Sequence, residues 1–254
     1  NRYLPITSRP RLFRCCWKTD FPLSLPIRIL FARNSSKNGQ LNLLGGQDMK
    51  KLIEKILSTI ERILFLPQLL ILYLSSEREI IIADMKRWMQ ILEREQNSDA
   101  LNLLYLTAKN KEFRNLYYYR ISKGNLLARL VMRIIKALYK ECESLVIDAS
   151  CNISAGLFIQ HGISTIIMAD MGENCWVNQQ VTIGYKDKTG RPKIGNNVRV
   201  AAGAKVLGNI NIGDNVTIGA NAVVVKNVPY NCVLVGVPAY IIKKNGVKVK
   251  EELV

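Results

Sequence analysis

The chain contains a single histidine, His161, in the segment Gln160-His161-Gly162. A neutral imidazole has a pKa near neutrality, so an exposed one can take the proton from a hydroxyl as that hydroxyl attacks an acyl group. A solitary histidine can equally be a structural side chain, and its surroundings have to decide between the two. Six cysteines stand at 15, 16, 142, 151, 175 and 232 without a Cys-x-x-Cys pair, which speaks against a zinc knuckle or a redox motif. No metal is expected, because a zinc site built on histidines needs several of them and the chain has one. The other polar candidates are Asp148, Gln160 directly before the histidine, and Arg191 in the run Gly184-Tyr-Lys-Asp-Lys-Thr-Gly-Arg-Pro-Lys193.

These residues lie on a ladder in which an aliphatic residue returns every sixth position. Ile147, Ile153, Ile159, Thr165, Met171, Val177 and Ile183 form one series, with Thr165 its only polar member. Ile194, Val200, Val206, Ile212, Ile218 and Val224 continue it after a step of eleven residues. Smaller apolar companions precede the later members by two places, at Val198, Ala204, Ile210, Val216 and Ala222. A period of six fits neither a helix nor a simple alternating strand; it is the signature of a parallel β-helix, three short strands to a coil. Hairpins of a β-sandwich have no reason to keep one period over a dozen units. His161 follows Ile159 by two, which places it at or near a corner of the coil. The step from Ile183 to Ile194 extrudes a loop that carries Arg191, and loops leaving a rigid scaffold are where function concentrates.

The 254 residues are 48% apolar and carry a formal charge of +16, which favours acidic partners such as phosphorylated co-substrates or anionic surfaces. The basic residues are dispersed and no reader motif appears, so nucleic acid is not expected. Residues 1–48 are basic and aperiodic, and read as a poorly ordered or non-native leader, with translation starting at Met49. Residues 49–143 read as an α-helical domain: a helix pair kinked at Pro67, then helices at 87–95, 99–109, 112–120 and 126–139. Lys50, Lys51, Lys55 and the apolar run 63–74 leave room for a weak peripheral membrane contact. Residues 144–238 form the coil and 239–254 a basic tail. Cys151 and Cys175 fall on the ladder's companion positions and read as reduced core thiols, which points to the cytoplasm. The fold class is α+β, a helical N-terminal domain followed by a left-handed parallel β-helix.

Several ordered pieces carry a resemblance: Gly156-Leu-Phe-Ile-Gln-His161, Gln180-Val-Thr-Ile-Gly184, the loop ending in Arg191-Pro-Lys-Ile194, Ala201-Ala-Gly-Ala-Lys-Val-Leu-Gly-Asn-Ile210 and Val235-Gly-Val-Pro-Ala239. Over about residues 110–244 the chain resembles the hexapeptide-repeat acyltransferases, and serine acetyltransferase most of all. That resemblance implies acetyl transfer from acetyl-CoA to a hydroxyl with His161 as general base. Asp148 would stand in for an orienting aspartate whose place is taken here by Val146. The resemblance also implies a co-substrate groove along Ala202, Gly203, Ala204 and Ala220, with Lys205, Lys243 or Lys244 meeting phosphates and Gly184 a candidate oxyanion donor. It further implies a homotrimer or a dimer of trimers.

Gln160 replaces a carboxylate of the serine-specific pattern, and Arg191 a second histidine. Both therefore become candidate acceptor-binding residues, and a sugar hydroxyl of a surface polysaccharide precursor rivals serine as acceptor. A trimeric scaffold without catalysis is the non-enzymatic alternative. A carbonic anhydrase on the same solenoid would need more histidines, and nucleotidyl transfer a glycine-rich phosphate loop.

Overall fold

The computed structural model describes residues 43–253. The reading of residues 1–48 as a leader lies outside the described residues as far as Asn42; from Leu43 the chain is helical, so the first helix begins upstream of Met49. The chain divides between Lys51 and Leu52 into two units; the first helix runs across that division, and every later element belongs to the second.

Among the described residues six helices come first: α1 Leu43–Leu64, α2 Leu66–Leu74, α3 Arg78–Ile91, α4 Asp99–Lys109, α5 Lys111–Lys123 and α6 Leu126–Leu138. The chain breaks at Phe65 and restarts with Pro67 in the first turn of α2, where a missing N–H leaves no hydrogen bond unmade. α3 starts well before residue 87, since the Ile80-Ile81-Ile82 run, β-branched and ambiguous on its own, turns its middle member into the core.

The rest is the left-handed parallel β-helix that the period of six predicts. Its first face stacks β1 Leu145–Ile147, β3 Thr165–Ile167, β6 Thr182–Gly184, β9 Lys205–Leu207 and β12 Val223–Val224. The second holds β4 Asp170–Met171, β7 Lys193–Ile194 and β10 Asn211–Ile212. The third holds β2 Phe158–Ile159, β5 Trp176–Val177, β8 Arg199–Val200, β11 Thr217–Ile218 and β13 Cys232–Val235. The ladder residues Ile159, Val177, Val200 and Ile218 are buried and stack in register on this face. Each such side chain contributes roughly 1.5–3 kcal/mol by leaving water, and asparagines with positive φ at 174, 197, 215 and 231 turn one line of corners.

The ladder needs one correction. Ile147 pairs with Ile167 and Ile167 with Ile183, so Ile167, not Thr165, is the stacked residue of this coil. Thr165 pairs with Leu145 in the companion position, fully buried, with its hydroxyl donating to the carbonyls of Ile163 (3.3 Å) and Asn178 (3.4 Å). Ile167 therefore follows Ile159 by eight positions, and Met171 follows Ile167 by only four. The two extra residues swell the corner that carries His161, where His161 and Ser164 both adopt φ of 53° and Ile163 is turned out to 59% exposure.

Two domain boundaries also change. Residues 239–254 are not a tail: β14 Tyr240–Lys244 and β15 Val247–Glu252 form an antiparallel hairpin added to the third face beside β13. The helices and the coil are one compact unit from Leu52, sharing a single core. Trp88 packs on Phe158, their rings 4.6 Å apart, and donates its indole N–H to the Leu157 carbonyl at 2.8 Å. Asp84 and Arg120, both almost fully buried, pair at 2.8 Å. Asp84 Oδ1 also accepts the Gly156 amide at 2.6 Å, while Arg120 donates to the carbonyls of Ile153 and Ser154. Burial pushes the Asp84 carboxyl up and Arg120 pulls it back.

Removing one partner of a buried ion pair strands the other, at a cost of about 3–5 kcal/mol. Asp84→Ala is therefore predicted to lose about that much in urea unfolding, whereas Lys140→Ala, which removes an exposed partner of Glu143, changes little. A loss below about 1 kcal/mol for Asp84→Ala would contradict the role given to the pair.

Candidate active site

Each coil has three corners, and the residues singled out in the sequence divide between two of them. The corner between the third and first faces runs past residues 160–164, 178–181, 201–204 and 219–222 as it climbs. Here stands His161, exposed on the swollen corner, with no described residue hydrogen-bonding its ring. Gln160 is held by its own amide to the Val177 carbonyl at 2.9 Å, and its side-chain oxygen accepts from Asn178 at 3.4 Å. One coil further, Gly203 N–H bonds to the Gln179 carbonyl at 3.0 Å, and Asn221 N–H to the Ala202 carbonyl at 2.9 Å. Ala202, Gly203 and Ala220 thus share the histidine's edge as a strip of small residues, while Ala204, expected to line the same groove, is fully buried in the stacked interior. Gly203 has a φ of +74°, and a Cβ there would lie 2.0 Å from the Asn221 side-chain oxygen, so the strip cannot thicken at that point. Lys205 lies beside it with its ammonium donating to the Gln180 carbonyl (2.8 Å) and the Thr182 hydroxyl (3.0 Å).

Asp148, Arg191 and Gly184 occupy the other end of the first face, at its corner with the second. Asp148 follows β1 and accepts both the amide (2.7 Å) and the hydroxyl (2.5 Å) of Ser150. Those bonds, with Arg191 nearby, hold its carboxyl below the ordinary aspartate value. Within one chain Asp148 therefore does not orient His161: it sits at the far end of the face, and its carboxylate serves a turn. Arg191 does not meet the histidine either. Its guanidinium donates to the Ser150 hydroxyl (2.6 Å), the Ser150 carbonyl (3.0 Å) and Asp170 (2.8 Å), pinning the foot of the extruded loop to the coils. Gly184 ends β6 and gives its carbonyl to the Gly208 amide at 2.9 Å, again at this second corner. Lys243 lies on β14 opposite Val233 and Lys248, and Lys244 is paired with Glu251 at 2.7 Å.

Sequence spacing gave no sign of Glu112. It opens α5, and its side-chain oxygen accepts the amide of Gly162, the residue after His161, at 3.3 Å across fifty residues of chain. A Cβ on Gly162 would meet Leu145 at 2.9 Å and Glu112 at 3.0 Å, so glycine is what lets the helix come this close. Asn178 and Gln179 were also unanticipated. The buried side-chain oxygens of both have no hydrogen-bond partner among the described residues, on the same corner as His161. Among the described residues no group of three or more His, Cys, Asp or Glu could hold a metal ion.

The coil has recognisable relatives. The family model for bacterial transferase hexapeptide repeats (six repeats) matches residues 191–226. A serine acetyltransferase of Synechococcus elongatus is 36% identical over 144 residues, 54% of this chain and 59% of that protein. One from Staphylococcus aureus is 42% identical over 122 residues, 46% of this chain and 57% of its own length. The chain thus spans a little over half the length of the curated relatives it matches. Among solved structures, Neisseria gonorrhoeae serine acetyltransferase in complex with serine is similar at a TM-score of 0.51 and 28% identity, covering 66% of this chain and 69% of that chain. The soybean serine acetyltransferase apoenzyme is similar at 0.52 and 28%, with coverage of 66% and 69%. A serine acetyltransferase complex with CoA is similar at 0.51 and 26%, with coverage of 66% and 70%.

The Arg191 clamp generates a prediction about the loop. Arg191→Gln should raise cleavage by trypsin at Lys186 and Lys188 about fivefold, the scale of roughly 1 kcal/mol for a partly exposed charged contact. Unchanged cleavage would show that the clamp does not hold the loop.

Proposed function

We propose that this chain is an acetyl-CoA-dependent O-acetyltransferase of the serine acetyltransferase type, with His161 as general base. One observation carries the reading. The only imidazole of the chain is exposed on a corner enlarged by two residues, on the same edge as a strip of alanine and glycine two coils above it, in a coil similar to those of serine acetyltransferases.

In this reading His161 accepts the acceptor's hydroxyl proton while the hydroxyl oxygen bonds to the thioester carbonyl carbon. The tetrahedral adduct then collapses with cleavage of the carbon–sulfur bond, and the imidazolium returns the proton to the departing thiolate. Atoms and charge balance without a covalent enzyme intermediate. Ala202, Gly203 and Ala220 would line the co-substrate arm, and Lys205 on the same edge would turn from the Gln180 carbonyl to meet its phosphates. Gly184 and Arg191 belong to the other corner line, so they would join the site only from a neighbouring copy. That requirement is the physical reason to infer a homotrimer with sites between coils, alone or paired into a dimer of trimers. The buried thiols of Cys151, Cys175 and Cys232 suit a reducing compartment, and a cytoplasmic location belongs to the same proposal.

For L-serine as acceptor the ammonium needs an anion, and Glu112 is the carboxylate that touches the His161 corner. A second reading has its own support. Gln160, Asn178 and Gln179 place neutral amides along this corner, and neutral amides suit the hydroxyls of a sugar.

His161→Ala is predicted to lower kcat/KM by about 10²-fold or more, followed as release of the CoA thiol. Activity within about threefold of wild type would remove the general base from the scheme and favour a scaffold. In an acceptor panel, turnover with L-serine, and a KM for it that rises in Glu112→Gln while kcat holds, would support the amino-acid reading. Turnover confined to glycans would replace it with the sugar reading.

A further inference from the structure

The helices present a surface that the coil's chemistry does not use. α2 and α6 pack side by side through Phe65, which meets the Tyr139 ring at 4.8 Å, and each turns a second apolar stripe outward. On α2 the stripe is Leu66, Leu70 and Tyr73, 49–59% exposed. On α6 it is Leu126, Leu130, Ile134 and Leu138, one per turn and 46–74% exposed. Large apolar side chains exposed along two helices packed side by side mark a surface that is normally covered.

Charge identifies what covers it. Segment 62–76 contains no carboxylate, and neither does segment 124–140. The charged residues inside these segments are all cationic, with Arg129 and Arg133 exposed beside Leu130 and Ile134. Glu141 and Glu143 at the end of α6 pair with Lys136 (2.5 Å) and Lys140 (4.0 Å), whereas Arg129 and Arg133 have no ion pair among the described residues, so an isologous contact along this stripe would bring cations together. Apolar side chains interspersed with arginine are instead the pattern that sits in the interface of an anionic bilayer, with the acyl region taking the leucines and the headgroups the guanidinium ions.

By length and composition, residues 51–74 could cross a membrane. The structure argues for lying on one. The chain breaks at Phe65, and the inner face of α2 is bound to the protein: Gln68 donates to the Tyr118 hydroxyl at 2.9 Å and its carbonyl accepts from Tyr117 at 2.7 Å.

We infer that the outer face of α2 and α6 docks the protein peripherally on an anionic membrane surface. The inference is independent of the acceptor and of catalysis.

Flotation of the full chain with vesicles tests it, comparing phosphatidylcholine alone with an equal mixture of phosphatidylcholine and phosphatidylserine. Binding is expected to the mixture, at least tenfold weaker to the neutral vesicles, and weakened by salt. Arg129→Gln combined with Arg133→Gln should weaken it by about 25-fold at low salt, taking roughly fivefold per basic residue. Ile134→Gln with Leu138→Gln should abolish it while leaving CoA-thiol release unchanged, which also shows that the variant folds. Equal or absent binding to both vesicles would overturn the inference. So would a change of assembly state in the Ile134/Leu138 variant, read by light scattering, without vesicle binding in the wild type; the face would then be a contact between copies.

Discussion

Everything in the coil answers to one constraint: the stacked interior admits one branched side chain and one small companion per face, and it has no room for a surplus residue. Chain length beyond six residues per face can leave only at a corner. It does so conspicuously twice. The corner after Ile159 holds two residues more than the period allows, and the next corner holds two fewer, so Met171 is back in register. The other departure is the loop before Ile194, which leaves at a corner and returns to it without disturbing the pairing of Met171 with Ile194. The first departure carries His161 and the second Arg191. Both functional candidates therefore sit where the stacking rule is relaxed, and rigid rows of buried valine and isoleucine fix the backbone on either side.

A second demand comes from the open lower end of the coil, where backbone carbonyls have no strand beneath them. Helix α5 meets that demand with side chains. Arg120 takes the carbonyls of Ile153 and Ser154, Tyr119 donates to that of Cys151 at 2.6 Å, and Asn115 donates to those of Cys142 and Leu145 at 3.0 and 2.9 Å. Setting these polar and aromatic side chains against the coil also brings the start of the same helix to Gly162. Glu112 is thus delivered to the histidine corner by the element that closes the column. The helical region is part of the coil's architecture and not a separable module.

Much of this was legible in the residues. The period of six specified the three-sided coil, its extent and the side chains inside it, because a stacking column reads out directly as spacing. The step of eleven located the loop. Thr165 was the visible irregularity in the ladder, and its meaning lay in pairing: only the register of Leu145 with Thr165 shows that the polar residue is a companion and that the histidine corner is enlarged. Asp148, Arg191, Gly184 and Lys243 were grouped with His161 by proximity along the chain or by likeness. Yet the coil sends neighbours in sequence to different corners, and two of those side chains are consumed by local bonds. Glu112 was invisible for the opposite reason, since a contact across fifty residues leaves no periodic trace. The hairpin at 240–252 hid behind its four lysines, Lys243, Lys244, Lys248 and Lys250, although Ile241 of its first strand is buried.

The central claim is that the corner swollen around His161 and the alanine–glycine strip above it form the two halves of one acyl-transfer groove. A crystal structure of the full chain with CoA tests it most directly. The account predicts the pantetheine arm lying along Ala202 and Gly203, with its sulfur within reach of the His161 imidazole, from the same chain or from a neighbour that brings its own loop. CoA bound elsewhere on the coil, or along the strip with its sulfur remote from every His161 ring in the assembly, would contradict it.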